Sequence, residues 1–119
     1  MFNLKQFFRS FYYASRGVAV TWKAEQSFRV QVALALLIMV LMAVLRVKAW
    51  EAVALFLVIF SVLTLELLNS IIERIVDTLK PRISPFVEEI KDIMAAAVLL
   101  ASIGALLVGL IILVPYFGF

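Results

Sequence analysis

The 119-residue chain contains no cysteine and no histidine. Those absences exclude disulfide bridges, thiolate nucleophiles, imidazole acid–base chemistry and zinc sites built from Cys and His. Glycine and proline are scarce, at four and three residues, and no GxxxxGK[ST] loop or other glycine-rich phosphate cradle occurs. Charge is scarce as well, at 16% of residues, and nothing basic follows Lys91. Any chemistry must therefore come from carboxylates, amides, hydroxyls, Lys and Arg. A bound metal would be a hard, oxygen-preferring ion such as Mg²⁺.

What the chain has in quantity is apolar surface. Hydrophobic residues make up 66% of it and its mean hydropathy is +1.12, against roughly 45–50% apolar content in soluble domains. This predicts a single all-α integral membrane domain over 1–119. Three spans are expected, at about 30–47, 52–75 and 93–114. The first carries "VQVALALLIMVLMAVL", the second begins after Glu51, and the third carries "IMAAAVLLASIGALLVGLIILV". As a helix the third would cover roughly 33 Å, enough to cross a bilayer. Pro115 should end it, with Tyr116 and Phe117 as an interfacial aromatic belt. The eleven basic residues precede the first run or lie in the two connections. By the positive-inside rule the N-terminus is cytoplasmic and the C-terminus outside. Charge held this close to a membrane reads as topology and headgroup contact, not as a nucleic-acid surface.

Residues 1–29 differ from the rest. Leu4, Phe7, Phe8, Phe11 and Val18 recur at helical spacing while Lys5, Arg9 and Arg16 share the other side. That pattern predicts an amphipathic helix lying in the interface plane, with Gly17 expected to mark a bend. In the third run Ala97, Ala101, Ala105 and Gly109 repeat every four residues, a spacing that lets helix backbones approach closely within one chain or between copies. Three spans enclose little volume, so a sizeable binding site calls for self-association.

The informative stretch is "TLELLNSIIERIVDTLK", residues 64–80. At about 100° per residue, Glu66, Asn69, Ser70, Glu73 and Asp77 fall within about a 100° sector of one helix. A polar stripe thus runs from inside the apolar run out to the surface. An acidic residue deep in a bilayer costs roughly 2.5–3.5 kcal/mol on insertion scales, which makes Glu66 a candidate functional residue. Glu25 and Arg29 sit just before the first span, and Lys91 and Asp92 at the entrance of the third. Carboxylates at such a boundary can hold Mg²⁺, a lysine can hold phosphate, and a buried carboxylate can take a hydroxyl proton. Periodicity and charge leave three readings open. They are a lipid-modifying enzyme, a small oligomeric proton- or cation-coupled transporter using Glu66, and an assembly protein whose stripe only bonds helices together.

The stripe "ELLNSIIERIVD", with "EQSFR" upstream and "KDIMAAAVL" downstream, resembles the prokaryotic diacylglycerol kinase family, which includes the undecaprenol kinases. The likeness covers roughly residues 10 to 114. It implies a homotrimer of three-span subunits with an N-terminal surface helix and composite sites between neighbours. The implied activity is ATP-dependent phosphorylation of a membrane lipid, diacylglycerol or undecaprenol, in a bacterial cytoplasmic (inner) membrane. By the same resemblance Glu66 is the catalytic base and Asn69 supports it. Glu25 and Glu73 ligate the Mg²⁺ that bridges to ATP, and Tyr13, Lys91 and Asp92 contact the nucleotide. The chain departs from the family pattern in three places. "KPRISPF" lacks a Glu-Tyr-His often found in that connection, "IMAAAV" lacks the usual Gly or Ser, and Gln31 stands where some relatives have Glu or His.

Overall fold

The computed structural model describes residues 1–79 and 85–119. The expectation attached to "KPRIS", residues 80–84, lies outside the described residues. The described chain is α-helical almost throughout: α1 (Leu4–Ala24), α2 (Gln26–Leu45), α3 (Ala49–Leu79) and α4 (Pro85–Leu113), closed by a 3₁₀ turn over Val114–Phe117. Three helices are long and apolar enough to cross a membrane. All three extend beyond their apolar runs. With 31 residues, α3 is roughly 46 Å long at 1.5 Å per residue, well over the ~30 Å of hydrocarbon. One end must therefore project.

Local chemistry sets the boundaries. Asn3 starts α1, its side-chain oxygen accepting from the backbone N–H groups of Lys5 and Gln6 at 3.1 and 3.3 Å, as an N-cap should. The helix is not interrupted at Gly17, where a bend was expected. It continues to Ala24, and the chain turns at Glu25, whose backbone is extended (φ −115°, ψ 112°). The sequence carries no Gly or Pro there. What ends α1 is Arg29 from the next helix, whose Nη1 donates to the carbonyls of Trp22 at 2.6 Å and Lys23 at 3.3 Å. A cation on the last carbonyls satisfies them and complements the helix dipole.

The turn from α2 to α3 is equally tight. Arg46 takes the left-handed conformation (φ 53°), an uncommon one for a residue with a Cβ. Lys48 then precedes α3. Its backbone N–H donates to Glu51 Oε1 at 2.9 Å, which is the acidic half of a capping box. Pro115 lies in the 3₁₀ turn that follows α4.

α3 is the central element, packing most extensively on α4, less on α2 and least on α1. The core lies toward the α2–α3 turn, where Met42, Leu55, Ile112 and Leu113 are buried together. Elsewhere large apolar side chains face outward, among them Leu36 and Val40 on α2, Leu57 and Phe60 on α3, and Leu100 and Ile111 on α4. Even in α3 only 28% of the most apolar window is buried. Faces of this kind are stable only against lipid or another protein surface.

Candidate active site

The stripe forms one face of α3, as its spacing requires. Glu66 is 4% exposed and Ser70 3%, while Asn69 and Glu73 are half-buried. The residue that meets Glu66 comes from the first turn of α2, just past the α1–α2 junction. Because Glu25 breaks the chain, "EQSFR" lies against α3: Phe28 is buried at 3% exposure and anchors the start of α2. Ser27 beside it donates its hydroxyl to Glu66 Oε2 at 3.1 Å. Among the described residues this is the only hydrogen bond to the Glu66 side chain. The other carboxylate oxygen has no donor, and since no buried side-chain oxygen or nitrogen among the described residues lacks a partner, it opens onto the surface of the chain.

One to two turns further along, Asn69 Nδ2 donates to Glu73 Oε1 at 3.2 Å. Glu25 stands against this pair. Burial, the adjoining Glu73 carboxyl and the charges of Glu73 and Glu66 raise the Glu25 carboxyl above its usual range, while Arg74 pulls the other way. Glu25, Glu66 and Glu73 therefore feel one another, with Asn69 and Ser27 as the local donors. Among the described residues no group of three acidic side chains is close enough to enclose a metal. The oxygen chemistry still suits Mg²⁺, which takes one or two carboxylates together with phosphate oxygens and water, not a cage made by the protein alone.

Three expected site residues are not brought to this cluster within one chain. Tyr13 is 58% exposed on α1, with its ring against Tyr12 at 5.5 Å. Lys91 is half-buried and Asp92 exposed near the start of α4, and among the described residues neither hydrogen-bonds to the stripe. Two features escaped the sequence reading. Ser27 is the partner of Glu66, although it sits inside the quoted "EQSFR" motif. At the opposite end of α3, Glu51 is only 8% exposed, and Tyr116 donates its hydroxyl to Glu51 Oε1. Tyr116 thus turns its polar end inward onto α3, where the aromatic belt pattern suggested only an interfacial position.

Comparison with known proteins bears on this arrangement. The sequence profile of the family described as prokaryotic diacylglycerol kinase matches residues 12–113. The chain is 32% identical over 113 residues to the undecaprenol kinase of Bacillus subtilis, covering 95% of this chain and 92% of that protein. It is 33% identical over 117 residues to a diacylglycerol kinase of Helicobacter pylori, covering 98% and 91%. To the diacylglycerol kinase of Escherichia coli K12 it is 34% identical over 106 residues, covering 89% and 87%. The chain belongs to the prokaryotic diacylglycerol kinase family. Membership favours the enzyme over the transporter and the assembly protein among the three readings left open by the sequence.

Proposed function

We propose that this member of the prokaryotic diacylglycerol kinase family, a multi-pass membrane lipid kinase, transfers the γ-phosphoryl group of ATP to the hydroxyl of a lipid at the cytoplasmic interface. The observation that carries the reading is Glu66. It is a buried carboxylate held on one oxygen by Ser27, with an acidic pair, Glu25 and Glu73, toward the end of α3 that projects. Glu66 and Glu73 are seven residues apart on one helix face, a rise of about 10 Å. That offset suits a hydroxyl held within the apolar layer and a nucleotide arriving from water.

In this reading the unpartnered oxygen of Glu66 receives the proton of the lipid hydroxyl. The lipid oxygen bonds to the γ-phosphorus, the bond from that phosphorus to the bridging β-phosphate oxygen breaks, and ADP leaves. Ser27 fixes the Glu66 rotamer, and Asn69 fixes Glu73 so that its second oxygen stays free. Glu25 and Glu73 are the residues that would hold Mg²⁺, which when bound neutralises charge on the phosphate oxygens. Tyr13, Lys91 and Asp92 are assigned to the nucleotide. Their separation from the stripe within one chain, and the large apolar faces left open, support a homotrimer in which neighbouring subunits complete the site. In this arrangement α1 lies along the membrane surface, the N-terminus and the α3–α4 connection are cytoplasmic, and the C-terminus is outside.

The test is phosphate transfer from γ-labelled ATP by purified protein in mixed micelles, with diacylglycerol and undecaprenol offered in parallel. Labelled lipid that requires Mg²⁺ and vanishes in Glu66→Gln supports the proposal. An oligomeric, folded protein that labels neither lipid would falsify it.

A further inference from the structure

A groove of about 340 Å³ runs between α2, α3 and α4. Its walls are apolar, with Ala35 and Ile38 on α2, Leu55 and Val62 on α3, and Leu106 and Gly109 on α4. Only two polar side chains line it, Gln31 on α2 and Ser102 on α4. Both are half-buried. Among the described residues neither side chain has a hydrogen-bond partner. An amide and a hydroxyl that line an apolar groove within the membrane, on two different helices and unpaired, call for a polar partner supplied from outside the chain.

Their height in the bundle says where that partner sits. Met42, Leu55 and Leu113 share one buried cluster. Gln31 precedes Met42 by 11 residues, Glu66 follows Leu55 by 11 and Ser102 precedes Leu113 by 11. At 1.5 Å per residue all three lie roughly 16 Å from the cluster, at one level of the bundle. Glu66 stands one turn beyond Val62, just past the groove's mouth. An acceptor whose hydroxyl reaches Glu66 therefore has its neighbouring atoms beside Gln31 and Ser102, and its chain in the groove below. The volume is at the lower end of small-ligand pockets, roughly 300–1,000 Å³. It suits one hydrocarbon chain, whereas a helix about 10–12 Å across would rest over it without filling it. A Cβ built on Gly109 meets nothing within 4 Å, so this small residue widens the groove and does not admit a neighbouring helix of the same chain.

The two acceptor classes differ at this level. A diacylglycerol carries an ester carbonyl on the carbon next to the one bearing its hydroxyl. A polyprenol carries only hydrocarbon there, which leaves the amide and the hydroxyl unmet. Identities of 32% and 34% to the two kinds of relative do not choose between them. We infer that Gln31 and Ser102 are specificity-determining residues that donate hydrogen bonds to an ester carbonyl beside the acceptor hydroxyl. The chain thereby prefers an ester-bearing glycerolipid to a polyprenol. The inference rests on the lipid kinase reading above.

The experiment compares initial rates on dioleoylglycerol, its dialkyl ether analogue and undecaprenol, for wild type and for the Gln31→Leu/Ser102→Ala double variant. Wild type should favour the diester over the ether and the polyprenol by about tenfold each, the combined weight of two modest hydrogen bonds. The double variant should lose that factor on the diester alone. A wild type that does not distinguish diester from ether overturns the inference without any variant having to fold. Equal losses on all three lipids overturn it too, since they mark a packing role. So does an inter-subunit disulfide formed readily by Gln31→Cys and Ser102→Cys chains, which would mean that a second copy covers the groove. Phosphorylation of none of the three lipids removes the kinase reading itself, a result distinct from the other three.

Discussion

α3 carries two buried carboxylates, Glu51 near its start and Glu66 beyond its middle, 8% and 4% exposed. Composition and burial do not distinguish them, but hydrogen bonding does. Glu51 caps its own helix through the Lys48 N–H and receives the Tyr116 hydroxyl as well. It therefore ties the α2–α3 turn to the end of the chain. Glu66 has the Ser27 hydroxyl and, among the described residues, nothing else. A carboxylate in a membrane protein is a structural clasp when its own chain supplies donors to it. It becomes a candidate for chemistry when the chain holds one oxygen and leaves the other open.

The largest effect expected from this comparison is on turnover. Glu66→Gln keeps an oxygen for Ser27 and removes the proposed proton acceptor, so activity should fall by about 10²–10⁴-fold, the usual worth of a general base. Thermal unfolding in detergent should barely move. A variant that unfolded instead would make Glu66 a second clasp and erase the distinction.

The reverse is expected at the other end. Tyr116→Phe removes a hydrogen bond to a charged group and should lower the unfolding temperature. Activity per folded molecule should be unchanged, because Glu51 lies 15 residues from Glu66, roughly 22 Å along the helix. Measuring unfolding and specific activity on the same preparations separates the two. A Tyr116→Phe protein of normal stability and reduced activity would break the comparison from this side.

The stripe was legible in the sequence because it lies on one helix, where the 3.6-residue period alone fixes which residues share a face. The three apolar helices were legible because hydrophobic runs of that length have few other destinations. Contacts between helices were not. Ser27 meeting Glu66 and Tyr116 meeting Glu51 depend on crossing and register, which no single-helix period encodes. The turn at Glu25 was missed because its determinant, Arg29, lies beyond it and acts backward on α1. Gly17 does not interrupt α1 because its helix penalty, about 1 kcal/mol, is too small to end a helix capped at its start by Asn3 and at its end by Arg29. Tyr13, Lys91 and Asp92 entered through family resemblance alone, and nothing in one chain's packing would have singled them out.

A smaller effect concerns that junction. Arg29→Met keeps much of the side chain's bulk and removes the charge from the last carbonyls of α1, a loss of about 0.3–1 kcal/mol. Amide hydrogen exchange should accelerate in the last turn of α1 while α3 stays protected. Unaltered exchange there would return Arg29 to the role of a membrane-surface charge.

The smallest expected effect also has the most specific sign. Burial first, then the adjoining Glu73 carboxyl and the charges of Glu73 and Glu66, hold the Glu25 carboxyl above its ordinary value of 4.5. Between 4.5 and its raised value the folded protein holds more of this proton than the unfolded chain does. Stability from this group is thus fully present below 4.5 and is lost as pH rises through the window. In the metal-free protein Glu25→Gln should therefore unfold at a slightly higher temperature than wild type near neutral pH, with the advantage shrinking as the pH approaches 4.5. Mg²⁺ should narrow the same gap from the other side, by stabilising wild type more than the variant, if Glu25 and Glu73 hold the ion together. Glu51→Gln provides the control, since Glu51 has two donors, the Lys48 N–H and the Tyr116 hydroxyl, and its substitution should destabilise. A Glu25→Gln protein that lost stability at neutral pH would mean that Glu25, like Glu51, is a clasp. The acidic end of α3 would then have no strained carboxylate for a cation to relieve.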